Sequence, residues 1–174
     1  MHSLSVFNFC PKCGSGSFIP SSDISKKCED CGFEYYKPVS VATVALIFDE
    51  TGKLLVTRRQ KDPCKGKLGL PGGFVDIGET IEEGVVREVK EETNLGVSVE
   101  RYMFCVPNTY MYSGFDVKTL DFVLSCKMKN VAGMMADKTE IADLSFISID
   151  ELNIEDFGFL SMKEIIRKVK KGIY

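Results

Sequence analysis

Residues Gly73 to Leu95 read GFVDIGETIEEGVVREVKEETNL. Thr80 followed by Glu83 is a capping-box pair, and Ile81, Val85, Val86 and Val89 share one face, so the pattern predicts a helix over Ile81 to Thr93. Asn94, which tolerates the left-handed conformation, marks its end. On this helix Glu88, Glu91 and Glu92 stand at i, i+3 and i+4, which places three carboxylates side by side. Charges so close repel unless a cation neutralises them, and hard oxygen donors on a rigid element suit magnesium. Arg87 points away from that row but can reach back to Glu79, where it would fix the preceding loop against the helix. Upstream, Leu70-Pro71-Gly72-Gly73-Phe74 allows a close backbone approach. An EVKEE run alone is most often a solvated face, and a Pro-Gly-Gly alone is most often a turn. Their combination with a capped helix points instead to a divalent-metal site.

Working outward, Val39 to Phe48 is rich in Val, Ala and Ile and reads as a buried strand. Asp49-Glu50-Thr51-Gly52 turns it into a second strand, Lys53 to Arg59, predicting a hairpin. Val97 to Val106, Thr119 to Met128 and Leu144 to Ile149 read as further strands. Ser161 with Glu164 predicts a capped final helix over Met162 to Lys171, stopped by Gly172. Strands and helices interleave, so the expected class is α+β, with a sheet between helical layers. Composition changes near Pro38, which divides the chain into residues 1–37 and 38–174.

Gly73, Glu79, Arg87, Glu88, Val89, Glu91, Glu92 and Leu95 are in register with the Nudix box, and the segment resembles that family's signature. Asn94 replaces the usual Gly, a mild change because both accept a positive φ. The resemblance implies a Nudix-type α/β/α sandwich with a mixed sheet. It also implies a magnesium- or manganese-dependent hydrolase that splits a pyrophosphate bond. By the same resemblance, the Gly73 carbonyl joins Glu88, Glu91 and Glu92 as a metal ligand, and one of the three glutamates is the general base. Glu79 and Arg87 complete the catalytic set. Glu140, in DKTEIADLSF, resembles a further metal carboxylate, and Arg59, in LLVTRR, resembles a position that touches a substrate phosphate or base, with Arg58 a weaker neighbour.

The first 37 residues carry Cys10-Pro-Lys-Cys13-Gly and Cys28-Glu-Asp-Cys31-Gly, with 14 residues between the pairs. Four thiolates so spaced suit a closed, structural tetrahedral zinc site, each Gly permitting the tight turn. Two disulfides or redox pairs are the competing readings; the strand-to-helix context of a thioredoxin-like site is missing. Cys64, Cys105 and Cys126 read as small thiols outside the quartet.

A zinc ribbon before a Nudix domain is similar to the NADH pyrophosphatase family, in partial resemblance also to ADP-ribose pyrophosphatases. The former carry a Trp-containing motif after the box, whereas this chain has no Trp and reads Val106-Pro-Asn-Thr-Tyr-Met-Tyr-Ser-Gly114 there. Tyr110 and Tyr112 have faces suited to stacking on a nucleobase, or serve as strand-end packing.

The chain has 174 residues and a formal net charge of −3, which argues against holding nucleic acid through a basic surface. No apolar run is long enough to span a bilayer and no secretory pattern opens the sequence, so the expected location is cytoplasmic, with no membrane partner. The expected substrate is a small-molecule nucleotide: a nucleoside diphosphate linked to another group, such as ADP-ribose, an NADH-like dinucleotide or a sugar nucleotide. A nucleoside triphosphate pyrophosphohydrolase, or a nucleotide-sensing regulator using the ribbon, are the alternatives. Homodimerisation is common in the resembling families, with no independent sign of it here.

Overall fold

The computed structural model describes residues 2–130 and 132–174. Its strands are β1 (Phe18–Ser22), β2 (Ser25–Cys28), β3 (Glu34–Tyr36), β4 (Ser40–Ile47), β5 (Leu54–Arg59), β6 (Leu68–Gly69), β7 (Gly96–Tyr112), β8 (Phe115–Asn130) and β9 (Ile141–Ile147). Two helices, α1 (Ile81–Thr93) and α2 (Leu160–Lys170), interrupt them. None of the described helices is long and apolar enough to cross a membrane.

One compact unit comprises Met1–Val39 with Met111–Val117. In it β1, β2 and β3 form an antiparallel sheet over a minimal core of Cys10, Phe18 and Cys28, flanked by Cys31, Phe33 and Tyr35. The later segment is the tip of the β7–β8 hairpin. Ser113 and Gly114 both take positive φ there, 50° and 74°, as a two-residue turn matched to strand twist requires.

The second unit, Ser40–Tyr110 with Lys118–Tyr174, holds the order β4-β8-β7 and the order β6-β5-β9. β4 runs parallel to β8, while β5 is antiparallel to both β6 and β9, so the pairing is mixed. Strand alternation explains the layering. Val44 and Leu46 of β4 join one core with Ile165, Ile166 and Val169 of α2, while Ala45 and Ile47 join another with Val85 and Val89 of α1. β5 splits the same way, Leu54 and Val56 against Leu55. Because successive side chains point to opposite faces, both faces are covered and the strands read as continuous apolar runs. Val85 and Val89 are fully buried, each contributing about 1.5–3 kcal/mol. That burial fixes the rotation of α1, and with it the direction of the glutamate row.

Several expectations are corrected. The hairpin expected from Val39–Phe48 and Lys53–Arg59 exists only at its turn, where Phe48 bridges Leu54. Beyond that point β4 pairs with β8 and β5 with β9, because the long-range partners offer complete ladders. The strands expected over Val97–Val106 and Thr119–Met128 extend to Tyr112 and Asn130, polar residues at the hairpin end having hidden the continuation. The last strand is Ile141–Ile147, earlier than Leu144–Ile149. The final helix begins at Leu160 with Phe159 at its N-cap and no side-chain cap bond, so the Ser161–Glu164 capping box does not form. Ser161 lies inside the first turn and is buried, which turns its hydroxyl away from a capping role.

Candidate active site

The expected helix over Ile81 to Thr93 is present with both capping-box bonds, Thr80 Oγ1 accepting from Glu83 N–H and the Glu83 carboxylate accepting from Thr80 N–H. Asn94 ends it in the left-handed region at φ 58°. Ahead of the helix, residues 71–75 lie along β4: Thr43 N–H donates to the Gly73 carbonyl at 2.8 Å, Ala45 N–H to Pro71, and Val75 N–H to Val41.

The two glycines of this loop are required for different reasons. Gly72 has φ 137°, and a Cβ there would lie 2.2 Å from the Thr43 carbonyl oxygen. A Cβ on Gly73 would lie 2.6 to 2.7 Å from the atoms of the Glu88 carboxylate. The loop therefore packs bare backbone against the acidic face of α1, and Gly72 N–H donates to Glu92 Oε2 at 2.9 Å.

Arg87 ties the site together. Its Nε and Nη2 donate to the two oxygens of Glu79 at 2.7 and 2.9 Å, a bidentate pair, and Nη2 also reaches the Phe74 carbonyl. Nη1 donates to Glu88 and Glu91, each at 3.0 Å. The expectation that Arg87 points away from the carboxylate row is thus corrected: it spans the loop and the row at once. The Arg87 hydrogen bonds, followed by the Asp76 N–H, hold the Glu79 carboxyl down at about 2.

The row itself is under electrostatic pressure. Burial raises Glu88 above the ordinary carboxylate range. Burial also pushes Glu92 up to about 8, against the Gly72 N–H, with Glu88 and Glu140 adding repulsion and Arg59 relieving part of it. Glu140 precedes β9 on an exposed loop, and its field falls on both Glu88 and Glu92. Glu88, Glu92, Glu140 and Arg59 therefore share one electrostatic neighbourhood. Among the described residues the carboxylate oxygens do not converge on a common metal-sized point, since only the cysteine quartet does so. Glu91, with 58% of its side chain exposed, has room to turn.

Asn94 does more than end the helix. Its amide donates to the Gly133 carbonyl at 2.8 Å, while Met135 and Asp137 N–H groups donate to the Thr93 and Glu92 carbonyls. The loop leading to Glu140 is thereby fastened to the last turn of α1.

Arg59 ends β5. Its Nε donates to the Pro63 carbonyl at 2.7 Å and its guanidinium lies 5.0 Å from the centre of the Phe159 ring. Phe159 in turn meets Tyr110 at 5.1 Å and 55°. Sequence reading names Arg59 and Tyr110 but misses Phe159, which lies in a short FGF stretch with no periodicity to mark it. Arg58 is exposed and donates to Gly66. Tyr112 falls in the other compact unit.

In that unit the four thiols lie within 4.8 Å of one another. Cys10 to Cys31 and Cys13 to Cys28 are 3.7 and 3.6 Å apart, so no disulfide joins them. Each knuckle closes alike: Gly14 N–H donates to Cys10 and Gly32 N–H to Cys28, with positive φ at both glycines. The N–H groups of Cys31 and Asp30 help draw the Cys28 thiol down to about 7. Elsewhere Cys126 is buried, Cys64 half-buried and Cys105 exposed.

Comparison with known proteins accords with this geometry. The chain is 45% identical over 75 residues to an ADP-ribose pyrophosphatase of Methanocaldococcus jannaschii, covering 43% of this chain and 44% of that one. It is 26% identical over 153 residues to the NAD-capped RNA hydrolase NudC of Vibrio atlanticus, covering 87% and 53%. The chain thus spans about half the length of these curated relatives. A crystal structure of a NUDIX hydrolase from Nitrosomonas europaea has the same fold, with a TM-score of 0.75 at 22% identity over 95% of this chain and 91% of that one. Residues 38–169 match the NUDIX domain, and the chain belongs to that family.

Proposed function

We propose that this protein is a divalent-metal-dependent hydrolase that splits the pyrophosphate bond of a nucleoside diphosphate linked to a second group. One observation carries the reading: Glu88 and Glu92, both raised by burial, lie against glycine backbone at a place where a Cβ would collide with a carboxylate. A fold that buries acids together, with one arginine already committed to Glu79, suits a cation. Glu88, Glu91, Glu92 and the Gly73 carbonyl oxygen, which the Thr43 hydroxyl meets only at 3.4 Å, are the donors we assign to magnesium or manganese, with Glu140 as a fifth. The metal would polarise the bridging phosphate oxygens and lower the pKa of a bound water. Among the protein groups, Gly72 N–H fixes the Glu92 carboxylate, Arg87 orients Glu88 and Glu91 while clamping Glu79, and one of the three glutamates takes the proton of the attacking water. Arg59 is assigned to a substrate phosphate and Tyr110 to the nucleoside end.

The cysteine quartet is assigned to structural zinc. A tetrahedral site with Zn–S bonds of 2.3 Å needs sulfurs about 3.8 Å apart, close to the separations across the quartet. With residues 1–37 as the ribbon and 38–174 as the hydrolase, the zinc takes no part in turnover.

A second reading is hydrolysis of the same bond within a nucleotide cap on RNA. The alignment with NudC favours it, since it covers 87% of the chain and therefore extends into the ribbon. Turnover of ADP-ribose, NADH, UDP-glucose, nucleoside triphosphates and NAD-capped RNA, with magnesium or manganese, tests both. Product pairs of two monophosphates from the diphosphate-linked substrates support the main reading. Release of inorganic pyrophosphate from triphosphates alone would overturn it.

A further inference from the structure

In the second unit a cysteine occupies a position suited to glycine, and a glycine occupies one whose φ does not call for it. Cys64 has φ 66°, in the left-handed region that glycine adopts freely and a residue with a Cβ adopts at a cost. Gly158 is not in that region. One contact accounts for both residues. A Cβ on Gly158 would lie 2.6 Å from Cys64 Cβ and 3.1 Å from its Sγ, so bare backbone at this point is the floor on which the half-buried Cys64 side chain rests. A strained residue persists only where its surroundings hold it, and such residues gather at functional sites.

Each partner adjoins a group that holds Arg59. Pro63, bonded to Cys64, offers its carbonyl to Arg59 Nε at 2.7 Å. Phe159, bonded to Gly158, has its ring centre 5.0 Å from the guanidinium. The φ of Cys64 turns the planar peptide that carries the Pro63 carbonyl, so the left-handed conformation and the direction of that acceptor are set together. The rest of the loop closes around the same points. Gly66 N–H donates to the Arg59 carbonyl, Lys67 N–H to Cys64 and Gly158 N–H to Leu68, while Gln60 N–H ties the start of the loop to the Glu140 carbonyl. Anchoring through Nε leaves the two Nη nitrogens as a planar fork, the geometry that meets phosphate oxygens in pairs.

We propose that the Cys64–Gly158 contact is a latch that aims Arg59, and that Cys64 and Gly158 are positioning residues for the binding of a substrate phosphate. The proposal rests on the assignment of Arg59 to that phosphate. The latch holds the Pro63 carbonyl and the Phe159 ring at a fixed spacing, and the guanidinium is oriented between them before substrate arrives. Preorganisation of this kind raises affinity by removing an ordering cost rather than by adding a contact.

Calorimetric titration of the full chain with inorganic pyrophosphate in magnesium buffer reads the latch without any nucleoside. Gly158→Ala drives a methyl group into Cys64 and is expected to weaken binding about tenfold, the scale of one charge-assisted hydrogen bond. Cys64→Gly keeps the left-handed turn but empties the contact, and should weaken binding about threefold. Combining the two moves the methyl group across the contact and should return affinity to within about twofold of the wild type, a rescue that lost stability cannot imitate. Arg59→Lys lacks both Nε and the fork and should weaken binding about tenfold, with nothing further lost on adding Gly158→Ala. Wild-type affinity in Gly158→Ala beside a weakened Arg59→Lys overturns the proposal. So does a double variant no tighter than Cys64→Gly, or a Gly158→Ala loss that persists in full beside Arg59→Lys. Should Gly158→Ala fail to fold, the comparison of the double variant with Cys64→Gly decides. Wild-type affinity in Arg59→Lys itself would take Arg59 away from the phosphate, overturning that assignment and the latch with it.

Discussion

The cysteine quartet and the glutamate row are both clusters of metal-type donors, yet they are built on opposite principles. The quartet is closed: four thiols converge within 4.8 Å, set by two identical knuckles whose bonds lie within a few residues of each cysteine. The glutamate row is open. Its carboxylates are held apart, two of them bridged by Arg87 and one by Gly72 N–H, and Arg87 is itself anchored to Glu79 and the Phe74 carbonyl in the preceding loop. A closed donor set can stabilise a fold but leaves no room for substrate, whereas an open one needs the fold to be stable first. The ribbon should therefore depend on its metal for structure, and the acidic site only for chemistry.

The sharpest way to break this contrast is to remove donors from each cluster in turn. Cys10→Ser with Cys28→Ser is expected to release one zinc per chain and unfold residues 1–37, since structural zinc is worth on the order of 10 kcal/mol in small domains. Metal analysis with proton NMR of the ribbon checks it. A ribbon that stays folded without metal would end the distinction. Glu92→Gln is expected to do the reverse. Gln still accepts from Gly72 N–H and no longer buries an acid, so the metal-free variant should melt no lower than the wild type. Its turnover should fall by more than about a hundredfold, beyond the roughly 10- to 100-fold typical for groups that only support a metal ligand. A thermal melt and an initial-rate assay read the two effects independently.

The same contrast separates what was legible in the sequence from what was not. The helix Ile81–Thr93, its capping box and its left-handed Asn94 could be read because each depends on residues a few positions apart. The knuckles were legible for the same reason. The pairing of β4 with β8, some eighty residues away, was not, and the turn Asp49–Gly52 suggested a hairpin that exists only at its first bridge. Arg87 was read as leaving the carboxylate row because helical spacing says nothing of side-chain reach. The contact of Phe159 with Tyr110 arises only where β7 meets the start of α2, and no local pattern encodes that meeting.

A milder test concerns the pair that holds the loop to the helix. Because Arg87 keeps Glu79 ionised down to about 2 while its ordinary value is 4.5, the pair stabilises the fold at any pH above about 4.5. That contribution is lost as pH falls through the window from 4.5 to 2, because there the unfolded state binds a proton that the folded state excludes. Melting temperature in Glu79→Gln is expected to fall less steeply across that window than in the wild type. Identical slopes would show that the bidentate contact carries no linkage. The effect is modest because other carboxylates, including Asp49, Asp137 and Glu155, are also held low and titrate in the same range.

The smallest expected effect sits where this chain departs from its family's signature. Asn94 accepts the left-handed conformation nearly as well as Gly, so Asn94→Gly should change stability by only a few tenths of a kcal/mol from the backbone itself. It does remove the amide bond to Gly133 and the carboxamide contact with Lys90, both of which are exposed. The Gly133 bond is the side-chain half of the fastening between α1 and the loop that ends at Glu140; the Met135 and Asp137 N–H groups form the backbone half and remain. If Glu140 is a metal donor, loosening one half should raise the magnesium concentration needed for half-maximal rate by about two- to threefold, with the rate at saturation unchanged. Asn94→Ala keeps neither the side-chain bond nor the easy positive φ, and should add roughly 1 kcal/mol of instability to the same magnesium shift. Equal magnesium requirements in all three proteins would mean that the loop is placed by its backbone bonds alone, and that the asparagine serves the helix end and nothing beyond it.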